Sequence, residues 1–436
     1  MNESAKGADS EDSVPKPLAG IRILHVTPNH PNSNIRMRKE NLSYQRAGAT
    51  CSALILGHRR DNELISDVQG VRVIEPRLPR FRALLSKISV ETRLNSRAHR
   101  RAIATAIISE RPHVLHVHDM FVGGSAIRVA RSRSPKVLSV VLDLHENFPA
   151  AVEVYRTAYP PLKRVAFAIF QGRRRMSLLE RRMMASADLV LTVTEEATER
   201  VAPICPATPI VTVPNLDHRP GTNSRVTDFS SRPAGPLRMT YVGTIQIHRG
   251  LQTVVRALSQ LPPGTATLDI FGAKDDDFTT WLRQETIRLK LAETVTLHGW
   301  LPLEEINIRI GEADLAIVPH ESTDQTNATL PHKLFEYMTQ ARPVLVSSCP
   351  PIAKHVRAAD SGFVFAAGDK VDCARAITEA LDRRDDLQRL GENGRRYVTE
   401  KMNWELVSEP ALISAVTELS TRSRRAGSPS TSSVEA

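Results

Sequence analysis

Four cysteines, Cys51, Cys205, Cys349 and Cys373, are spread through 436 residues, and no two form a Cys-x-x-Cys pair. That spacing excludes a disulfide framework and a zinc ribbon, and fits a reducing cytoplasm. No apolar run reaches the roughly 18 residues that a membrane-spanning helix needs. Aromatic residues make up 5% of the chain and do not interleave with its basic runs, which argues against a nucleic-acid partner. Residues 1–18 are polar and acidic without an apolar core, so they read as a disordered tail rather than a signal peptide. Asp275-Asp276-Asp277 reads as a solvated loop or helix start rather than a metal-binding Asp-x-Asp.

The chain does have a basic excess. It carries 58 Lys and Arg against 48 Asp and Glu, a net charge of +10, which favours anionic partners. Its length suits two or three domains. Apolar strands alternate with helices almost throughout, interrupted by a Pro-, Ser- and Gly-rich linker at 214–236. The expected organisation is an N-terminal lobe at 19–213, a C-terminal lobe at 237–400, a last helix at 401–420 and a disordered tail at 421–436. The fold class is α/β, with two doubly wound, Rossmann-like parallel lobes facing across a cleft, where ligands of such sheets bind.

The most informative stretch is Asn327 to Ser348. Pro331 suits a first helical turn, Leu334 and Met338 mark a buried face, and Arg342-Pro343 stops the helix before the strand Val344-Leu345-Val346. A helix start with free N–H groups and Lys333 in its first turn suits a phosphate. Glu336 shares that face and can accept hydrogen bonds from a ribose diol. An ordinary αβ unit with a surface Lys–Glu pair is the other reading. Gly243 opens a loop, Gly-Thr-Ile-Gln-Ile-His-Arg-Gly, whose Arg249 can clamp a phosphate. In the first lobe the strand ends carry His116-Val-His118-Asp119 and Asp143-Leu-His145-Glu146. Those histidines suit either a buried polar core or a metal, but no fixed third ligand is evident.

Pro-x-Lys-Leu-Phe-Glu-Tyr-Met followed by Arg-Pro-Val resembles the donor-site motif of glycosyltransferase family 4, the retaining GT-B enzymes. Leu-His-Val-His-Asp, Asp-Leu-His-Glu-Asn-Phe-Pro and Asn-Ile-Arg-Met-Arg-Lys-Glu resemble its N-lobe motifs, so the resemblance spans roughly residues 20–420. It implies a nucleoside-diphosphate sugar as donor substrate, with no cofactor and no metal. It implies that Glu336 holds the ribose, that the turn at Gly299, Trp300 and Leu301 reads the base, and that His118 is catalytic near the donor sugar. A core tryptophan is the other reading of Trp300. The donor side is then Gly243, Thr244, Arg249, Trp300, Asn327, Thr329, Lys333 and Glu336; the acceptor side is Asn34, Arg36, His145 and Glu146. Two departures stand out: Ala328 replaces a usual glutamate, and Thr244 replaces a usual arginine. The implied function is transfer of a sugar to a glycan, lipid-linked or small acceptor in cell-envelope or exopolysaccharide synthesis. Two alternatives are a nucleotide-sugar 2-epimerase and a non-catalytic scaffold for anionic partners. The basic runs at 79–101 and 163–175, with Phe167 and Phe170, suit peripheral docking on an anionic membrane surface, or else a helix covering the sheet.

Overall fold

The computed structural model describes residues 16–57, 64–77, 89–90, 94–133, 138–156, 171–219 and 235–427. The calls on Phe167, Phe170 and most of the linker lie outside the described residues. In the first lobe eight strands form one sheet: β1 (Arg22–Thr27), β2 (Thr50–Ile55), β3 (Leu64–Val68), β4 (Val71–Glu75), β5 (Val114–His118), β6 (Ser139–Leu144), β7 (Leu189–Thr192) and β8 (Ile210–Thr212). Their order is β3-β4-β2-β1-β5-β6-β7-β8, and only the β3–β4 pair is antiparallel. The central strands are buried along almost their whole length. They read as continuous apolar runs because helices cover both faces of a parallel sheet.

The second lobe holds β9 (Leu237–Val242), β10 (Ala266–Phe271), β11 (Val295–His298), β12 (Leu315–Val318), β13 (Val344–Ser347) and β14 (Gly362–Phe365), in the order β11-β10-β9-β12-β13-β14. That is the Rossmann order, with its switch point between β9 and β12. The corresponding switch in the first lobe falls between β1 and β5. Every candidate donor residue follows a strand end of the second lobe.

Four expectations are corrected. Strand β3 was not foreseen: it is a short, half-exposed edge joined to β4 by Gln69 and Gly70, both at positive φ (55° and 75°), a tight hairpin turn that its polar residues conceal. The last helix does not end at 420 but runs Glu409–Gly427, because its inner face continues onto the first lobe, where Ser423 Oγ meets Ser139 Oγ at 2.5 Å. Trp404, Leu412, Val416 and Leu419 share a core with Leu18, Ile21, Ile23 and Tyr44, so this terminal segment belongs to the first lobe's core. The linker's first residues are firmly held: Leu216 is buried in the second lobe's core, and the Asp217 carbonyl accepts the Trp404 N–H at 2.8 Å.

Candidate active site

At the end of β9, Gly243 has φ +129°, and a Cβ there would lie 3.0 Å from Lys333 Nζ. Glycine is what lets the backbone and that ammonium meet. Lys333 sits 3.8 Å from the Tyr241 ring centroid, and Tyr241 in turn donates its hydroxyl to the Thr244 carbonyl at 2.8 Å. Arg249 donates to His320 Nε2 at 3.1 Å, which fixes His320 as a neutral acceptor. Burial, then Arg249, then Lys333, drives His320 well below the usual imidazole range. Burial, and next Arg249, holds Lys333 well below the usual lysine range. Two cations thus converge beside the end of β9, and the Arg249 Nε and His248 Nδ1 atoms are buried without hydrogen-bond partners. Buried unpaired donors of this kind are costly unless an acceptor arrives.

The helix His332–Thr339 begins beside them. Pro331 is its N-cap rather than a residue of its first turn, and no side chain caps its free N–H groups. Glu336 is exposed one turn in, its carboxyl raised by its recessed setting and then by Asp217. Asp217, which sequence reasoning missed, joins the lobes: it takes Lys39 Nζ at 3.1 Å and lies 3.5 Å from His332 Nδ1. Burial would raise its carboxyl, but His332 and Lys39 hold it below the usual range. Trp300 is 56% exposed with Lys274 Nζ 5.2 Å from its ring, so the core reading of this tryptophan is wrong. Asn327 and Thr329 are spent on their own loop, bonding Ser322 Oγ at 3.0 Å and the Gln325 carbonyl at 2.7 Å. Asp276 caps the helix Asp277–Arg288, the helix-start reading of that acidic run.

The first lobe's half is built by two periodicities. Arg36, Glu40 and Tyr44 recur every four residues on one face of the helix Ile35–Arg46. Opposite them, His25 pairs with His116 across β1 and β5, and His118 with Asp143 across β5 and β6, on one sheet face. All of these are buried. Arg36 grips Asp143 with two 2.8 Å bonds, gives a third to the Val213 carbonyl, and lies 2.9 Å from Glu40. Arg36 is therefore an interior brace rather than an acceptor-side group. Asn34 is the helix cap, accepting the Met37 N–H at 3.1 Å.

His118 is fully buried, 2.9 Å from His25 Nδ1, and burial followed by His116 pushes it down to about 3. His145 is the partly exposed ring of the cluster, its side chain 21% exposed where His25, His116 and His118 are fully buried. It donates to Asp143 Oδ2 at 2.7 Å and lies 3.5 Å from Asp119. Burial opposes its charge, but Asp119 and then Asp143 prevail and raise it to about 9. Burial, then Asp143, raises Glu40 to about 7. The second-lobe loop closes onto this side: Gln325 donates to Glu146 at 3.0 Å, and Asn147 to the Asp324 carbonyl at 3.0 Å. Thr194 donates to the carbonyl of Ala328, which is buried between the lobes.

His25, Glu40, His116 and His118 bring ligand atoms within 4.8 Å of one another, as do His118, Asp143 and His145. The first set does not fit a metal as arranged. The His116 and His118 rings are 4.5 Å apart and only 9° from parallel, so their lone pairs lie in separate planes. Arg36 already supplies the compensating charge.

Two facing Rossmann-like lobes with a cationic helix start between them define the GT-B class. The family model for glycosyl transferases group 1 matches residues 226–397, and that for the glycosyl transferase 4-like domain matches 39–216. The chain belongs to the group 1 glycosyltransferases of the family 4 type and is a glycosyltransferase. It is 22% identical over 310 residues to a glycogen synthase of Mycobacterium tuberculosis, covering 69% of this chain and 67% of that one. Among solved structures, sucrose-phosphate synthase of Thermosynechococcus elongatus superposes with a TM-score of 0.68 at 17% identity, covering 94% of this chain and 100% of that one. The Anabaena protein HepE in complex with UDP-glucose gives 0.63 at 12%, covering 91% and 100%.

Proposed function

We propose that the protein is a retaining glycosyltransferase that moves a sugar from a nucleoside-diphosphate sugar to a glycan, lipid-linked or small acceptor, in cell-envelope or exopolysaccharide synthesis at the cytoplasmic face. The observation that carries this reading is the pairing of Lys333 with Arg249 in a recess holding unpaired donors. Glycosyl transfer is limited by the departing diphosphate, whose negative charge grows as the bond breaks. Fixed cations and the free N–H groups at His332 and beyond stabilise that charge without reorganising. Glu336 takes the ribose hydroxyls. His145, held as an imidazolium, faces the acceptor side, and His118 acts through it and Asp143. With two fixed cations on the diphosphate, turnover needs no metal. An epimerase would need carboxylates facing the sugar, whereas Glu40 and Asp143 are buried around Arg36.

The test is a thermal-shift screen against UDP, GDP, ADP and dTDP, followed by turnover with and without EDTA. A diphosphate at a hundredfold excess over its Kd should stabilise by about 2.7 kcal/mol. Absence of a shift with all four would sink the donor site. Turnover lost in EDTA and restored by magnesium would sink its metal independence.

A further inference from the structure

The first lobe carries two troughs away from the residues just described. One lies between the helices Arg97–Glu110 and Met120–Arg133, is about 510 Å³, and is lined by Arg97, Arg100, Arg101 and Arg128. The second lies between Met120–Arg133 and Arg173–Met184, is about 520 Å³, and is lined by Arg128, Arg131 and Arg182. They adjoin at Arg128 and Ser132, which line both, and are together called the channel below. Among the described residues no carboxylate lines either trough. Among the described residues Arg97, Arg101, Arg128 and Arg182 have no acidic partner, and only Arg131 is paired, with Asp188 at 2.8 Å.

The second lobe's surface helices are built differently. There Arg375, Arg383 and Arg389 each have an aspartate or glutamate within 2.6 Å, three residues away on the same helical face or turn. The first lobe's arginines therefore do more than solvate a helix: guanidiniums crowded in a concave trough repel one another until an anion enters. The channel also has a direction. Helices that connect parallel strands begin at the carboxyl edge of the sheet, where the lobes meet. The cap of the first helix is tied to the second turn of the next, Ser96 N–H to Ser125 Oγ at 2.9 Å. Leu94 and Asn95, just before the first helix, line the channel's end on that side.

We propose that this channel binds a linear oligosaccharide bearing carboxylate or phosphate groups along its length, and so that the acceptor is an acidic glycan. This rests on glycosyl transfer to a glycan, but it is tested by binding alone. Open troughs lined by arginines along their length suit a flexible anionic chain. One earlier candidate for lipid contact is also committed elsewhere: Arg173 is ion-paired with Asp324 of the second lobe.

The experiment is fluorescence polarisation of labelled hexauronate, of a sugar-phosphate-repeat oligomer and of neutral maltohexaose on the full-length protein, without nucleotide sugar. Either anionic probe should bind, more weakly at higher salt, while maltohexaose should not; whichever binds identifies the source of the charge. Replacing Arg97, Arg101 and Arg128 together by Gln should weaken binding by up to about fivefold per arginine, about a hundredfold in all. UDP affinity should stay unchanged and would report that the variant is folded. Unaltered binding of the anionic probes by the triple variant, equal binding of maltohexaose or of an RNA oligomer, or sedimentation with anionic vesicles without binding of either anionic probe would each overturn the proposal. If UDP does not bind but an acidic oligosaccharide does, the donor reading fails and the channel stands.

Discussion

The two lobes place charged side chains at matching points, yet treat them in opposite ways. In the first lobe Arg36, Asp143, Glu40 and the histidines form an interior network in which the arginine's three bonds are all made within the chain. In the second, Lys333 and Arg249 crowd each other and leave donors unpaired. Both lobes keep buried atoms without a hydrogen-bond partner, among them Glu40 Oε1 and Oε2 and His116 Nε2 in the first. What differs is charge, since opposite charges meet around Arg36 whereas like charges meet at Lys333 and Arg249. Substitutions of equal size should therefore act on stability in one lobe and on binding in the other.

The largest effect is expected from Arg36→Met. It leaves Asp143 and Glu40 buried without their cation, and should destabilise by about 3–5 kcal/mol in urea unfolding. Lys333→Ala should instead change stability by less than about 0.5 kcal/mol, or raise it, because it removes a desolvated charge. If both variants lose stability equally, the contrast between the lobes is broken.

Next in size is the effect on the donor. Lys333→Ala and Arg249→Ala should each lose about 1.5–3 kcal/mol of nucleoside-diphosphate affinity by calorimetry, and much less for the nucleoside. Glu336→Gln should weaken both ligands, by about 1 kcal/mol. Equal losses for diphosphate and nucleoside in the lysine variant would make it a structural residue. His118→Ala should lower kcat more than donor affinity, by about tenfold or more. A normal kcat would remove it from the reaction.

The remaining effect is in pH. His145 is raised to about 9 in the folded state, against 6.5 for the free side chain. The folded form holds that proton more tightly, so the stability it brings is fully present below about pH 6.5 and fades as pH rises through about 9. The difference is at most about 3 kcal/mol, less for partial exposure. His145→Gln should flatten this part of the stability profile; an unchanged slope would show that His145 is not charged.

Much of the fold was legible because it rests on period and composition. The apolar strands of both sheets could be read as runs, and the donor helix by its proline, its Leu334–Met338 spacing and its Arg-Pro stop. Individual roles were harder to read. Arg36 and Asn34 stand in a motif yet serve the lobe's interior and a helix cap, because a sequence shows which face a residue shares but not what lies opposite. His145 was seen at a strand end, but its charge depends on Asp119 and Asp143 converging across two strands. Asp217 carried no local signal beyond its place in a polar connection, and its partners lie far away in sequence, at Lys39 and His332. A sign of the Arg36 brace was present all the same in the four-residue spacing Arg36-Glu40-Tyr44, a polar stripe on a helix that must pack against a sheet.

The terminal helix has a consequence for biosynthesis. Trp404, Leu412, Val416 and Leu419 complete a core whose other members include Leu18, Ile21, Ile23 and Tyr44, which are made far earlier in synthesis. Domains generally fold in order as the chain emerges, but this first lobe cannot bury its β1 flank until the segment from Trp404 to Leu419 has emerged. The second lobe, whose strands and helices lie between Leu237 and Glu400, has its whole core available earlier. The lobe made first is thus finished last, and a ribosome stalled near residue 400 leaves an apolar face on the nascent first lobe, where a chaperone would bind.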